Sequence, residues 1–148
     1  MKKLISQTKR AYLAGFLDGD GSVYVRLKPN KTYKFGFQIA PYIVLFQSQK
    51  GQKNFANLCS IINCGYMRIR KDGILEYIIG KHDDIIQFIK LVEPYVVLKK
   101  RQIELLKKIL IAKKNIRNKK DFKSLAKLID AFRELNYSKK RKIRTLTP

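Results

Sequence analysis

The sequence predicts an α+β fold, an αββαββα core with a four-stranded antiparallel sheet, helices on one face of that sheet, and further helices at the carboxyl end. Three observations carry the prediction. Two stretches alternate apolar and polar residues on either side of turn-forming residues, as β-hairpins do. Each is followed by apolar residues at helical spacing, and helices stacked on the apolar face of an antiparallel sheet are the economical packing for that order. The 148 residues are 45% hydrophobic and include 8 Tyr and 8 Phe, which suffices for a buried core in one domain.

The elements follow in order. Residues 7–20 read as a helix, because Tyr12 and Phe16, and Leu13 and Leu17, pair at a spacing of four while Ala11, Gly15 and Gly19 form a stripe of small residues. Gly19 and Gly21 supply its stop. In VYVRLK, Val23, Val25 and Leu27 make an apolar back, and Tyr24, Arg26 and Lys28 a polar front. Pro29 to Thr32 is turn material, and a second strand is expected from about Tyr33 to Ser48, bent at Pro41. A helix carrying Phe55, Leu58, Cys59 and Ile62 comes next. YMRIRKDGILEYII then reads as a hairpin with a two-residue Asp72-Gly73 turn. Met67, Ile69, Leu75, Tyr77 and Ile79 fall on one face of it, and Arg68, Arg70, Glu76 and Ile78 on the other. Helices are expected over 83–93, stopped by Pro94, over 99–114, and over 121–135 with Asp121 as N-cap. The chain is read as one domain over 1–148, with its core in 1–97 and a basic helical part in 98–148.

The formal net charge of +22 calls for a polyanionic partner. Residues 98–148 hold 18 basic and 4 acidic residues, against 15 and 7 in the first 97. Nucleic acid is favoured over a membrane, since no basic amphipathic helix presents large apolar residues. No apolar run approaches the roughly 18–20 residues needed to span a bilayer, and no leader with a cleavage site opens the chain, so a soluble intracellular protein is expected. Cys59, Cys64 and His82 are the whole inventory of soft ligands, too few for a structural zinc site, and the two thiols are read as reduced. His82 is read as a solvated residue near a helix start.

The polar face of the sheet is where function is sought. Tyr24, Arg26, Lys28, Gln38, Tyr42, Arg68, Arg70 and Glu76 would share it. A solvated face is the bland alternative, but this mixture can hydrogen-bond base edges and phosphates in a major groove, so a DNA-reading sheet is preferred. LAGFLDGDG, Leu13 to Gly21, sets a sharper problem. Asp18 and Asp20 stand at a helix carboxyl end, where the dipole disfavours negative charge by roughly 0.3–1 kcal/mol per group. Turn hydrogen bonds would explain them, and so would a Mg²⁺ held by hard oxygen ligands and acting as a Lewis acid on a phosphodiester. The small-residue stripe suggests self-association about a two-fold axis, which would bring two copies of Asp20 together.

At this point the sequence resembles the LAGLIDADG homing endonucleases. LAGFLDGDGS matches the motif, and RLKPN with YKF, QKGQK at Gln49–Lys53, EPYVVLKKRQ at Glu93–Gln102 and NYSKKRK at Asn136–Lys142 resemble single-motif members in the same order across the chain. The resemblance implies a site-specific endonuclease that acts as a homodimer on long, near-palindromic double-stranded DNA. It would cut across the minor groove to leave 3′ overhangs in the course of intron homing, with Mg²⁺ as cofactor and Mn²⁺ as a substitute. Asp20 would be the metal ligand with the Gly19 carbonyl, and Asp18 structural. Gln49 would orient water, while Lys53 and Lys99 would lie near the scissile phosphate and stabilise developing charge.

DNA contacts would come from the sheet residues above and from Asn30, Tyr33, Ser138, Lys139 and Lys142; the dimer would form through Ala11, Tyr12, Gly15, Phe16 and Gly19. Two departures stand out: the chain is two residues longer between Gln38 and Gln49, around Pro41, and Lys53 stands where arginine occurs. RNA would be a partner only if the protein were also a maturase, and a non-cleaving DNA binder on the same scaffold is the rival reading. The GYM at Gly65 and YIIG at Tyr77 are too far from the GIY-YIG spelling to support that nuclease class. The abundance of lysine and isoleucine fits an AT-rich source, such as an organelle or a microbe.

Overall fold

The computed structural model describes residues 4–136. Among them are five α-helices and four strands in the expected order: α1 (Gln7–Asp20), β1 (Gly21–Pro29), β2 (Phe37–Ser48), a 3-10 turn (Gln49–Gly51), α2 (Gln52–Ser60), β3 (Tyr66–Ile69), β4 (Ile74–Ile79), α3 (His82–Val92), α4 (Lys100–Lys114) and α5 (Lys119–Leu135). The strands form one sheet in the order β1-β2-β4-β3, and β4 runs antiparallel to both β2 and β3. The expected α+β class, with its helices and antiparallel four-stranded sheet, is what the chain adopts.

The chain forms two compact units. Among the described residues, one comprises 4–23 together with Tyr42–Lys100, and the other Tyr24–Pro41 together with 101–136. In the first, α1 begins at Ser6, whose hydroxyl accepts the Lys9 N–H at 3.3 Å. Its apolar side puts Leu13, Ala14 and Leu17 fully out of water. Ile43, Leu45, Leu75 and Ile79 of the sheet, Phe55 of α2, and Ile85 and Phe88 of α3 are buried in the same unit. Arg10 ties α1 to the end of α3, its Nε donating to the Leu91 carbonyl at 2.9 Å and a terminal nitrogen to that of Lys90 at 3.0 Å. Those carbonyls end a helix and have no partner within it, so a cation there also meets the negative end of the dipole.

Strand β1, which passes into the second unit at Tyr24, alternates as expected, with Val23, Val25 and Leu27 buried and Arg26 exposed. Ile103, Leu106, Ile109 and Leu110 of α4 and Phe122, Leu125, Ala126, Ile129 and Phe132 of α5 are buried. The second strand starts at Phe37 rather than Tyr33. Residues 30–36 are instead a closed turn, with Asn30 N–H on the Gly36 carbonyl, Tyr33 N–H on Asn30, and Gly36 N–H on Tyr33. Gly36 has φ of 80°, which a residue with a side chain rarely adopts.

Two further local expectations change. The second hairpin closes through three residues, not two. Arg70 N–H bonds the Ile74 carbonyl and Gly73, at φ of 82°, occupies the left-handed position of a type I turn followed by a bulge. Helix α5 starts earlier because Asn118 is its N-cap, accepting the Asp121 N–H at 2.9 Å, while Asp121 reaches back to the Arg117 N–H at 3.1 Å. The two side chains share the capping that was assigned to Asp121 alone.

Candidate nuclease site and nucleic-acid face

The two aspartates at the end of α1 have different surroundings. Asp18 accepts three successive backbone N–H groups that lead into α4: Val97 at 2.8 Å and Leu98 at 3.1 Å on Oδ2, and Lys99 at 3.0 Å on Oδ1. The Lys99 ammonium donates to the main-chain carbonyl of Asp18 at 2.8 Å. One residue therefore anchors the loop and orients the lysine, and Asp18 has the structural part expected of it. Asp20, the last residue of α1, is exposed, and nothing in the described chain bonds its carboxylate. Lys99 is thus held at the helix end that carries Asp20.

The other sequence-derived candidates divide. Gln49 is exposed in the 3-10 turn, its N–H on the Gly73 carbonyl at 3.1 Å. Lys53 is exposed in the first turn of α2. Sequence reasoning passed over Gln47, which is half-buried, pairs in register with Leu75, and accepts the Ser48 N–H at 2.8 Å. Its signal was present in the sequence: Gln47 is in phase with Ile43 and Leu45, an amide on an otherwise apolar face.

Ala11, Tyr12, Gly15 and Gly19 all lie exposed on α1, Tyr12 by 62%. A Cβ added at Gly15 or Gly19 would meet nothing within 4 Å. At Gly21 it would fall 2.6–2.8 Å from three atoms of Leu17, so the fold itself demands that glycine. Phe16 is half-buried and stacks on Phe55 with ring centres 5.7 Å apart.

The polar sheet residues are likewise ordered within each unit. In one, the Arg26 guanidinium lies over the Tyr24 ring at 5.4 Å, Lys28 and Gln38 are half-buried, and Tyr33 is 46% exposed. Asn30 spends its side-chain oxygen on the Thr32 N–H and hydroxyl, at 3.0 and 2.7 Å, and so fixes the turn. In the other, Arg68 sits directly across from Glu76, and that carboxylate lies 3.7 Å from Arg68 and 3.9 Å from Arg70. Arg70 also pairs with Asp72 at 2.7 Å. Tyr66, 58% exposed, shares the phase of Arg68 and was missed, although the alternation extends to it. Tyr42 is half-buried in phase with Val44 and Phe46. Ser138, Lys139 and Lys142 lie outside the described residues.

The thiols are not part of this chemistry. Both are free; burial pushes the Cys59 thiol up to about 12, and burial with the nearby Asp84 charge also raises Cys64. The Tyr77 hydroxyl donates to the Cys64 carbonyl, and burial raises it to about 12. None of the three presents an anion at neutral pH.

Residues 13–112 match the family model described as LAGLIDADG endonuclease. DNA endonuclease I-CreI of Chlamydomonas reinhardtii is 33% identical over 132 residues, covering 88% of this chain and 80% of that protein. The crystal structure of I-CvuI, the Chlorella vulgaris endonuclease, in complex with the I-CreI target in 2 mM Mg and uncleaved superposes with a TM-score of 0.85 at 28% identity, over 93% of this chain and 87% of that one. Meganuclease I-SmaMI bound to uncleavable DNA shares the fold at a TM-score of 0.72 and 24% identity, where 82% of this chain spans 44% of that one.

Proposed function

The chain belongs to the LAGLIDADG family of DNA homing endonucleases, and we propose that it works as a homodimer making a metal-dependent double-strand break in a long, near-palindromic site with 3′ overhangs. The observation that carries this reading is the exposed, unclaimed Asp20 beside a lysine held in place by Asp18.

The donor set fits a divalent cation only when two chains meet. Among the described residues no three His, Cys, Asp or Glu side chains gather in one place, so a single chain brings one carboxylate, Asp20, with the Gly19 carbonyl beside it. Two copies joined at Ala11, Tyr12, Gly15 and Gly19 would supply a pair, and Gly15 and Gly19 have no steric reason to be glycine within the chain. The fold also fills under half of the I-SmaMI chain, as a unit used in pairs would. Mg²⁺, or Mn²⁺ in its place, would supply Lewis-acid polarisation of the scissile phosphate and a more acidic water.

The chain's own groups do the rest. Lys99, with its ammonium fixed on the Asp18 carbonyl, would stabilise charge developing on the phosphate, and Lys53 would add to it. Gln49, or the half-buried Gln47, would orient the attacking water. Tyr24, Arg26, Lys28, Asn30, Tyr33, Gln38, Tyr42, Arg68, Arg70 and Glu76 would read the duplex, and Glu76 would hold Arg68 and Arg70 in place for base edges. The test is cleavage of a plasmid library carrying candidate near-palindromes, with sedimentation of the free protein. Linear product dependent on Mg²⁺ or Mn²⁺ from a dimeric species is expected. Tight DNA binding with no cutting in either metal would instead make the protein a binder or maturase. No helix among the described residues is long and apolar enough to cross a membrane, and action inside an organelle or a microbial cell is proposed with the rest.

A further inference from the structure

The turn that closes the second hairpin is built around Asp72. One of its carboxylate oxygens accepts the Ile74 N–H at 3.2 Å, and the other accepts from the Arg70 guanidinium at 2.7 Å. Gly73, at φ of 82°, donates its N–H to the Arg70 carbonyl at 3.0 Å. Its carbonyl in turn accepts the Gln49 N–H at 3.1 Å, and a Cβ built on Gly73 would meet the Gln49 Oε1 at 3.5 Å. Gln49 therefore rests on this turn with both its main chain and its side chain. Gln47 does not, since its side-chain oxygen already accepts the Ser48 N–H at 2.8 Å. Arg70 also lies 3.9 Å from Glu76, which faces Arg68 at 3.7 Å. The contacts thus run from Arg68 through Glu76, Arg70, Asp72 and Gly73 to Gln49, all within one unit.

A carboxylate beside arginines proposed to meet DNA weakens their attraction for phosphate, so binding alone does not call for Asp72. Its place in the turn supplies a reason. We propose that Asp72 is a positioning residue for the reaction: by closing the turn it fixes the Gly73 carbonyl, and through it Gln49, the side chain that orients the attacking water. A rigid support of this kind matters because a small misplacement of a group that holds a reactant lowers the rate steeply. The proposal rests on the endonuclease reading for the reaction that Gln49 serves.

The experiment uses the full chain and the site recovered from the cleavable library, with cutting measured on fully bound DNA and affinity measured separately without divalent metal. The Asp72 side chain is 51% exposed, so its substitution opens no core. Asp72→Ala should slow cutting of bound DNA about tenfold, the scale of one lost hydrogen bond. Affinity should stay within about threefold, because Glu76 remains beside both arginines. Asp72→Asn, which keeps an acceptor for the Ile74 N–H and gives up the ion pair, should recover most of the rate. In a Gln49→Ala background, Asp72→Ala should add less than about twofold, because the residue it positions is gone. A turn that served stability alone would give the same loss in both backgrounds. Amide exchange of Gln49 in the free protein, which needs no cutting, should quicken about tenfold in Asp72→Ala and stay near wild type in Asp72→Asn. Equal losses in both backgrounds, a loss confined to affinity, or unchanged Gln49 exchange in folded Asp72→Ala protein overturns the proposal and leaves the endonuclease reading standing on wild-type cutting. A wild type that cuts with neither Mg²⁺ nor Mn²⁺ overturns that reading, and the part of Asp72 in the reaction with it.

Discussion

The two sides of α1 are adjacent in sequence and opposite in their use. On the inner side every residue has a partner in the chain: Leu13, Ala14 and Leu17 are fully buried, Asp18 accepts three N–H groups, and Gly21 is required by its closeness to Leu17. On the outer side Tyr12 is 62% exposed, Gly15 and Gly19 border open space, and Asp20 is bonded by nothing described. A helix interior prefers alanine to glycine by roughly 1 kcal/mol, and its carboxyl end prefers cations to carboxylates. The outer side breaks both preferences without compensation inside the chain. The lesson is that residues costing the fold stability, and repaid by no contact within it, are those on which function outside the chain is to be sought.

The largest test of that contrast is Asp20→Asn. If Asp20 serves only the reaction, its loss should lower cleavage on the order of a thousandfold, the several kcal/mol that metal-assisted charge stabilisation supplies, while DNA affinity holds and the melting temperature stays level or rises slightly as the unfavourable charge leaves the helix end. Plasmid cleavage and thermal melting on one preparation check it, and a large melting shift would place Asp20 with the inner residues. Asp18→Ala should behave the other way. Removing the acceptor of three N–H groups should cost about 1–3 kcal/mol of stability in urea unfolding. It should also lower cleavage through Lys99, which would lose its fixed loop.

The inner side was legible in the sequence and the outer side only in part. Periodicity over 7–20 and alternation over Val23–Lys28 put apolar residues on one face, and burial follows that phase in the structure. The start of β2 was misjudged because Tyr33, Phe35 and Phe37 alternate as a strand would, while the turn is decided by Gly36 and by Asn30 folding back on Thr32. The starts of α5 and the loop of the second hairpin were shifted for the same reason, since caps and positive-φ glycines act over two or three residues and carry no periodicity. In the site, Asp18 and Asp20 are chemically identical in sequence. The family resemblance gives them different parts, but the physical reason is the loop at Val97–Lys99, some eighty positions away, which local pattern reading cannot reach.

A smaller effect separates the glycines. Gly15→Ala should stabilise the isolated chain by about 0.5–1 kcal/mol, the helix-propensity gain where nothing crowds the new methyl, and should weaken the proposed dimer, into which that methyl would project. Gly21→Ala should destabilise the chain, because its methyl would lie under 3 Å from Leu17. Unfolding of the dilute protein and sedimentation at several concentrations would sharpen the comparison. A Gly15→Ala protein that associates as tightly as wild type would remove the case for a backbone-to-backbone interface.

The smallest effect carries the contrast into α2, where Cys59 is buried, and into the loop after it, where Cys64 is half-buried. Cys59 rises from 9.0 to about 12 by burial, so the folded chain keeps a proton that the unfolded chain loses above pH 9. Stability therefore falls as pH rises from 9 toward 12, and this group contributes no pH dependence below that window. The loss begins near pH 9 and steepens to on the order of 1 kcal/mol per pH unit beyond it. Cys59→Ala should flatten the alkaline limb of the stability profile while leaving cleavage unchanged, since this buried thiol neither bonds nor orients any of the groups proposed for the reaction. A loss of cutting in a fully folded Cys59→Ala protein would mean that the division between the used and unused sides does not hold beyond α1.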